Sequence, residues 1–290
     1  MHKLSNKIGI MHGRLSEPVN NKIQEFPIKT WKNEFEKASL FGFDSIEWIF
    51  DKYQKNPIMN IDGITEIKKI SKQTGVKINS VLADYFMEEK LFNVSESNLE
   101  KNLSILKTLV KQSSLLGAKI VEIPFVDSSS LKSHEEQLQV ISNLETILPE
   151  IDEYDMILSF ETDLNPKEFK FFINNFNHSR IKINYDVGNS ASLGYDLEEE
   201  IMILGNLIEN IHIKDRMLHG ITVPLGTGDV NFNLFFNLLK KINYSKELII
   251  QGARESNVQC EYTAKKYLLF VQEFVDKYLF DEDKLNSSKK

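Results

Sequence analysis

Two carboxylates and one imidazole stand at the ends of three successive apolar segments in the second half of the chain. They belong to Glu161, Asp186 and His212. Carboxylate oxygens and imidazole nitrogens together form the kind of ligand set that binds Mn²⁺, Mg²⁺, Co²⁺ or Zn²⁺ in proteins. The residue types therefore predict a divalent-metal site, provided that the fold brings the three segment ends together.

The elements that must position these residues alternate between short apolar strands and longer amphipathic helices. The segments between strands are long enough for helical crossovers. Gly42, Gly75 and Gly117 follow predicted helices, whereas Thr30 and Asn231 precede the first and the seventh. Eight such units predict a single-domain α/β protein, a (β/α)8 TIM barrel over residues 1–280, followed by a polar tail at 281–290 that we expect to be disordered. Strands are predicted at 7–11, 45–49, 76–83, 119–123, 155–160, 180–185, 207–213 and 247–250, with the sixth helix near 197–204.

Each predicted strand has a polar residue near its carboxyl end, on one face. Residues two apart in a strand share a face, so these side chains point into the barrel. That rim is where (β/α)8 barrels place their active sites. Mutual hydrogen bonding in internal layers is the alternative, and it stays open for Glu47, Asp84 and Glu122. The eight residues are His12, Glu47, Asp84, Glu122, Glu161, Asp186, His212 and Gln251.

Composition and charge exclude several classes of protein. The 290 residues are 41% hydrophobic and 27% charged, which is typical of a globular protein with one sizeable core. The net charge of −7 and the absence of a basic block argue against a nucleic-acid partner. The chain shows neither the apolar segment of a secretory signal nor a run of about 18 apolar residues, so we expect a cytoplasmic protein without a membrane partner. The single cysteine, Cys260, excludes an intrachain disulfide and is interpreted as a packed thiol in a late helix.

Short motifs surround the strand ends: Gly-Ile-Met-His-Gly-Arg at 9–14, Ile-Glu-Trp-Ile at 46–49, Ala-Asp-Tyr-Phe-Met at 83–87, Tyr-Asp-Val-Gly-Asn at 185–189, Ile-His-Ile-Lys-Asp at 211–215, and Val-Pro-Leu-Gly-Thr-Gly at 223–228 before Asp-Val-Asn-Phe. Over most of its length the chain resembles the xylose isomerase-like barrel superfamily, specifically its bacterial sugar phosphate isomerase/epimerase group. The resemblance implies a metal held by one residue from each of strands five to eight. On this sequence those residues are Glu161, Asp186, His212 and Gln251.

The residue after the eighth strand departs from the family pattern. In the epimerases resembled, this position is usually a glutamate that binds metal and handles a substrate proton, whereas the Gln251 amide can coordinate through oxygen but cannot take a proton. Glu161 is the predicted base, removing a proton beside a polarised carbonyl to form an enediolate. Epimerisation also needs an acid on the opposite face, for which Lys214, Glu122 and His12 are candidates, while isomerisation can use one group.

Side chains at and beyond the strand ends are predicted to bind the substrate. Arg14, Arg216 and Arg254 could bind a phosphate or carboxylate through paired N–H donors, and salt bridges explain each equally well. Lys214 is predicted to be catalytic, with a salt bridge to a rim carboxylate such as Asp215 as the alternative. The Gly-x-Gly segment at 226–228 could offer amides to a phosphate or simply form a turn. The other predicted substrate-binding residues are His12, Glu47, Asp84, Glu122 and Asn189.

These observations favour a metal-dependent isomerase or epimerase of a sugar or sugar phosphate, with one divalent ion (Mn²⁺, Zn²⁺, Co²⁺ or Mg²⁺). A dehydratase with the same metal site and a non-catalytic sugar-binding barrel remain alternatives. DNA repair of the type IV apurinic endonuclease kind is disfavoured because its three-metal site needs many more than the six histidines present. The resemblance is compatible with a homodimer, although no stretch of the sequence identifies an interface.

Overall fold

Eight parallel strands pair in sequence and close into a barrel. The computed structural model describes residues 6–255 and 258–279, so the predicted tail at 281–290 lies outside the described residues. Each barrel strand pairs with the next, and the first pairs with the last, which confirms the predicted (β/α)8 fold. The barrel strands are β1 (Ile8–Met11), β2 (Ser45–Ile49), β3 (Ser80–Leu82), β4 (Ile120–Phe125), β5 (Ile157–Thr162), β6 (Ile181–Asp186), β7 (Ile208–Ile213) and β10 (Leu248–Ile250), and an inserted hairpin consists of β8 (Asp215–Arg216) and β9 (Thr222–Val223).

Helices carry the chain from each strand to the next. Gly42, Gly75 and Gly117 end three of them at φ values of +93°, +78° and +93°, a conformation that glycine adopts without a Cβ clash. Asn231 caps its helix through its side chain, whereas Thr30 makes no capping hydrogen bond. Within the described residues, no helix combines the length and apolarity needed to cross a membrane. The helices are α1 (Trp31–Phe41), α2 (Ile61–Thr74), α3 (Tyr85–Glu88), α4 (Glu96–Leu116), α5 (His134–Glu145), α6 (Leu148–Glu153), α7 (Pro166–Asn175), α8 (Val187–Leu193), α9 (Leu197–Leu204), α10 (Phe232–Lys241) and α11 (Cys260–Phe274).

The third strand is shorter than the sequence predicts. Only Ser80–Leu82 pairs as a strand, and Lys77 makes an isolated bridge to Ser45. The residues before it include Val76 and Ile78, which are buried. Their apolar character marked a buried segment correctly, but burial alone does not supply a neighbouring strand with which to form a ladder. The other barrel strands lie within about two residues of their predicted ends.

Aromatic packing fills the space between the barrel and its helices. The ring of Phe160 on β5 lies 5.4 Å from that of Phe125 on β4 and 5.8 Å from that of Phe172 on α7, measured between centroids. All three side chains are buried. Rings at these separations combine a large buried area with favourable edge and face contacts. The main apolar layer therefore lies outside the barrel, and polar side chains occupy much of the interior toward the carboxyl ends.

The hairpin between β7 and β10 holds the Gly-x-Gly segment around a carboxylate. Asp215 accepts hydrogen bonds from the amides of Gly226, Gly228 and Val230 at 2.9, 2.9 and 3.2 Å. A Cβ at position 228 would lie 2.3 Å from Asp215 Oδ1, so this approach requires glycine. The amides of Gly226 and Gly228, which were possible phosphate ligands in the sequence, therefore donate to the carboxylate of Asp215 instead.

A buried carboxyl group lies beneath the loop that follows β1. Glu34 on α1 has no exposed surface and accepts a hydrogen bond from the Gly13 amide at 2.7 Å. Burial raises the pKa of Glu34 from 4.5 to about 7, against the opposing effect of hydrogen bonds from Ser16 and Gly13. The folded protein therefore holds a proton on this group at pH values where the unfolded chain has lost it.

We expect Glu34→Gln to remove a pH-dependent loss of stability. Because the folded pKa is raised, the contribution of Glu34 is most favourable below the unfolded pKa of 4.5 and is lost as the pH rises through about 7. The total change is roughly 3 kcal/mol in the free energy of unfolding. Urea unfolding at pH 5 and pH 8 measures it, with the exposed Glu36→Gln on the same helix as control. An equal fall in wild type and Glu34→Gln would contradict the assignment.

Candidate metal centre

The three residues first singled out by type converge at the mouth of the barrel. Glu161 is the second-last residue of β5, and Asp186 is the last residue of β6. His212 lies on β7 and is the register partner of Asp186. His212 Nδ1 lies 3.4 Å from Glu161 Oε2 and 4.0 Å from Asp186 Oδ2. One ligand atom from each residue lies within 4.8 Å of the others. Successive parallel strands place their carboxyl ends side by side, which is why residues so far apart in sequence meet here.

Gln251, immediately after β10, is the fourth predicted ligand. Its Nε2 donates to Gln24 at 2.9 Å. Its Oε1 is buried and accepts no hydrogen bond from any residue that the structure describes. A buried carbonyl oxygen without a partner costs about 1–3 kcal/mol, so a group that satisfies it is expected. An amide oxygen is an acceptable ligand for a divalent cation, and the residues present fit such an ion.

Negative charge accumulates around His212. Its ring nitrogens lie 2.6 Å from Glu47, 3.2 Å from Glu122, 3.4 Å from Glu161 and 4.0 Å from Asp186. Burial lowers the pKa of His212, but Glu122 and Glu47 outweigh it and hold that pKa well above its usual value. The negative charge of the cluster therefore favours a bound cation, and both a proton and a metal ion meet this requirement.

The pKa values of Glu122 on β4 and Glu161 on β5 are shifted in opposite directions. Burial raises the pKa of Glu122 well above its usual range, and the charge of Glu47 adds to this, although His212 opposes it. Burial also acts to raise the pKa of Glu161, but hydrogen bonding to His212 and the charge of Lys214 lower it to about 2. Glu161 is thus ionised at neutral pH, the state required of a metal ligand and of a base.

Glu47 on β2 fixes the orientation of the imidazole from below. His212 Nε2 donates to Glu47 Oε1 at 2.6 Å, and Asn210 Nδ2 and the hydroxyl of Ser80 donate to Glu47 Oε2. With the Nε2 proton held by Glu47, a metal ion can take the place of the Nδ1 proton that faces Glu161. Glu47 and Glu122 were predicted to bind substrate, but both have no exposed surface. We therefore expect them to act through His212 rather than by touching a molecule at the mouth.

We expect Glu47→Gln to weaken divalent-metal binding by about 10- to 100-fold, the usual effect of losing a partner that orients a ligating histidine. The glutamine amide has one accepting atom where Glu47 has two, so His212, Ser80 and Asn210 lose a shared acceptor. Calorimetric titration with Mn²⁺ measures the change. Glu209→Gln is the control, because Glu209 lies on β7 but pairs with Lys246 away from the site. Equal affinity in wild type and Glu47→Gln would refute this role.

Above the ligand set, three polar side chains form one network. Lys214 Nζ lies 2.7 Å from Asp186 Oδ2, so its ion pair is with a predicted metal ligand and not with Asp215, whose carboxylate binds main-chain amides. Asn189 donates to Glu161, and Arg216 donates to Asn189 Oδ1 at 2.9 Å. Lys214, Asn189 and Arg216 therefore lie around Glu161, where the sequence predicted catalytic and substrate-binding groups.

The other predicted substrate-binding groups after β1 and β10 face the protein itself. His12 has no exposed surface and packs on Trp48 at 4.6 Å between ring centroids, and burial lowers its pKa to about 3. Arg14 donates to the carbonyls of Gly252 and Ile23. Arg254 donates to three main-chain carbonyls, of Gly13, Ser16 and Ile23. We therefore expect both arginines to fix the loop after β1 rather than to bind a phosphate.

Gln24, in that same loop, is a site residue that the sequence analysis missed. Its Nε2 donates to Asp84 Oδ2 at 2.7 Å, and its Oε1 accepts from Gln251 at 2.9 Å and from Arg14 at 3.2 Å. Asp84, predicted to bind substrate, is half-buried after β3. The alternation of side chains along a strand gives no information about a residue in a loop, so the sequence contained no signal for Gln24. The loop shields the centre, and the exposed fractions of Glu161, Asp186 and Gln251 are 6%, 4% and 6%.

Solved structures of a sugar epimerase and of a zinc-binding protein share this architecture. A D-allulose 3-epimerase from Methylomonas sp., in complex with D-allulose, matches with a TM-score of 0.74 and 14% sequence identity, covering 94% of this chain and 98% of the other. A zinc-bound IolI protein matches with a TM-score of 0.76 and 17% identity, covering 94% and 99%. At these identities the likeness shows the fold.

Sequence comparison covers the same part of the chain. A candidate L-ribulose-5-phosphate 3-epimerase, SgbU of Haemophilus influenzae, is 24% identical over 270 residues, which are 87% of this chain and 90% of the relative. The family model described as xylose isomerase-like TIM barrel matches residues 35–266, a range that includes Glu161, Asp186, His212 and Gln251. The chain therefore belongs to the xylose isomerase-like TIM-barrel family.

Proposed function

We propose that this protein is a metal-dependent isomerase or epimerase that acts on a sugar or sugar phosphate, with Glu161 as the base that forms an enediolate. The observation that carries the proposal is the convergence of Glu161, Asp186 and His212, with Glu161 held ionised. The names of the similar proteins, which include 3-epimerases of D-allulose and L-ribulose 5-phosphate, support the substrate class.

Four residues would hold the ion: Glu161, Asp186, His212 through Nδ1, and Gln251 through Oε1. Their mixture of carboxylate, imidazole and amide ligands suits Mn²⁺, Co²⁺, Mg²⁺ or Zn²⁺. A bound divalent ion supplies Lewis-acid polarisation of a ketose carbonyl, which acidifies the neighbouring C–H bond. The zinc bound to the similar IolI structure supports a metal in this type of barrel.

The chain's own groups would move and guide the proton. The carboxylate of Glu161 takes the proton from the carbon beside the carbonyl. Asn189 holds Glu161 Oε1 by a hydrogen bond, and Arg216 holds Asn189 in turn, so the base is fixed in orientation before substrate arrives. Lys214 lies between Asp186 and Asn189 and places a positive charge beside the developing negative charge of the substrate oxygens.

Incubation with L-ribulose 5-phosphate, L-ribulose, D-allulose and D-fructose in D₂O with Mn²⁺ tests the proposed function. Nuclear magnetic resonance should show either a 3-epimer with deuterium at C3, the carbon that Glu161 deprotonates, or an aldose isomer with deuterium at C2, the carbon that receives the new proton. Formation of 2-keto-3-deoxy products would instead establish a dehydratase. Sugar binding without turnover or deuterium exchange, in protein that contains the ion, would establish a non-catalytic sugar-binding barrel. Homodimer formation stays a prediction, which analytical ultracentrifugation checks directly.

A further inference from the structure

Epimerisation by this site requires a second acid–base group. A proton must leave one face of the carbon and another must arrive at the opposite face, so one carboxylate on one side does not suffice. Gln251 follows the last barrel strand, and its amide cannot act as a catalytic acid or base at neutral pH. The inference that follows rests on the proposed function, because an epimerase needs another residue to supply the carboxyl that position 251 lacks.

The groups considered from the sequence do not meet this need. Glu122 and His12 have no exposed surface, so neither reaches a molecule at the mouth. Lys214 is partly exposed, but its ammonium contacts Asn189, which itself donates to Glu161. Lys214 therefore shares one hydrogen-bond network with Glu161, whereas the second group must act on the other face of the carbon.

Asp84 follows β3 and is linked through one side chain to Gln251. Its Oδ2 accepts a hydrogen bond from Gln24 Nε2 at 2.7 Å, and Gln24 Oε1 accepts from Gln251 Nε2 at 2.9 Å. The Gln24 amide thus spans the mouth between Asp84 and the end of the last barrel strand. Among the described residues no hydrogen bond is made to Asp84 Oδ1, and the side chain is half-buried rather than closed off.

We propose that Asp84 is the second acid–base group of this enzyme, held in place by Gln24 and facing the substrate from the side opposite Glu161. Gln24 is the positioning residue in this arrangement. The carboxyl that the last barrel strand lacks is supplied by β3 and connected to Gln251 through one amide. This arrangement gives epimerisation two carboxyls without a glutamate at position 251.

The electrostatic surroundings keep Asp84 able to exchange a proton near neutral pH. Burial raises its pKa to about 7, and the negative charges of Asp51 and Glu161 add to this effect. The hydrogen bond from Gln24 and the charge of His212 act in the opposite direction. A carboxyl with a pKa near the working pH can both donate and accept. The charged and polar groups that face Asp84 are Arg14 and Gln24 from the loop after β1, Asp51 after β2, Glu161 on β5 and His212 on β7.

In this reaction C3 loses a proton from one face and gains a proton on the other. Glu161 takes the proton from C3, and the electron pair of that C–H bond moves to the carbonyl to form the enediolate. The electrons then return to C3, which takes a proton from the Asp84 carboxyl on its other face. Glu161 ends protonated and Asp84 ionised, and both return to their starting states by exchange with solvent. The reverse direction begins with Asp84 as the base.

The test follows inversion and exchange separately in Mn²⁺-loaded enzyme. L-ribulose 5-phosphate and its C3 epimer, L-xylulose 5-phosphate, are each incubated in D₂O with wild type, Asp84→Asn and the control Glu88→Gln, an exposed carboxyl of the same segment. We expect Asp84→Asn to lose interconversion by about 100-fold or more. Deuterium should still enter C3 of the one epimer whose C–H faces Glu161, and metal content should equal that of wild type.

Three results would overturn the role of Asp84. The first is interconversion by Asp84→Asn within threefold of wild type, and the second is equal loss of interconversion and exchange at unchanged metal content. The third is that Asp84→Asn still forms an aldose. Isomerisation needs only one base, so such a product would show that the reaction does not use Asp84. A wild type that is inert in both readouts overturns the proposed function itself, and the role of Asp84 falls with it.

Gln24→Leu separates positioning from packing. Because the hydrogen bond from Gln24 lowers the pKa of Asp84, its removal should move the corresponding apparent pKa of the rate profile upward. A slower enzyme with an unmoved profile would show that Gln24 acts only through packing, contrary to its assigned role.

Discussion

Glu161→Gln should reduce turnover by about 10³-fold or more. A general base contributes about 10² to 10⁴ in rate, and Glu161 is also a predicted ligand, so the substitution removes two contributions at once. Glutamine keeps the shape of the side chain and an acceptor for Asn189, which donates to Glu161 Oε1. The loss should therefore come from the missing negative charge and proton acceptor rather than from a collapsed site.

The measurement is kcat with the sugar that wild type turns over, at saturating Mn²⁺. Deuterium exchange at the deprotonated carbon should disappear together with product. Glu168→Gln is the control, because that exposed carboxyl lies in the first turn of α7 outside the site. Both variants should still unfold in a single cooperative transition in the absence of metal, which excludes a collapsed fold as the cause of the loss. Exchange that persists at the wild-type rate in Glu161→Gln would remove Glu161 from the role of base.

A divalent ion should stabilise the folded protein, and Asp186→Asn should abolish most of that effect. An ion that binds only the folded state at 100 times its dissociation constant adds about 2.7 kcal/mol to the free energy of unfolding. Asp186 has a second role, because its Oδ1 accepts from the Asn189 amide at the start of α8 at 2.8 Å. Asparagine keeps that cap while removing the charge that the ion and Lys214 need.

Asp196→Asn is a closely matched control for this experiment. Asp196 caps α9 in the same way, accepting from the Glu199 amide at 2.7 Å, but it lies apart from the ligand set. Urea unfolding with and without Mn²⁺ or Co²⁺ should show the full ion effect in wild type and Asp196→Asn. Stabilisation of Asp186→Asn by the same amount would mean that the ion binds elsewhere.

The polar interior of this barrel explains why the candidate centre is so constrained. His212 serves two environments, because its Nδ1 faces Glu161 and Asp186 while its Nε2 is bound to Glu47. The groups beneath the ring remove its rotational freedom, and those above it define where a cation can lie. Preorganisation of this kind places ligands and base before the substrate binds.

The sequence by itself determined the fold and predicted the residues of the candidate metal centre. Apolar segments at regular spacing indicated eight strands, and residue parity within each strand placed Glu161, Asp186 and His212 on the inner face at one end. Both inferences depend on local periodicity, which a single chain displays directly. The convergence of the three ligand atoms within 4.8 Å agrees with that expectation.

Only the tertiary structure decided how deep each polar side chain lies in the barrel, which groups it pairs with, and which loop residues it contacts. Parity gives the face of a strand but not the height along the barrel axis, so Glu47 and Glu122 were indistinguishable in sequence from residues at the mouth. The ion pair of Lys214 with Asp186 depends on how α8 approaches the hairpin. Gln24 reaches Asp84 and Gln251 through a loop whose path is set by long-range contacts of Arg14 and Arg254, and no local pattern encodes those contacts.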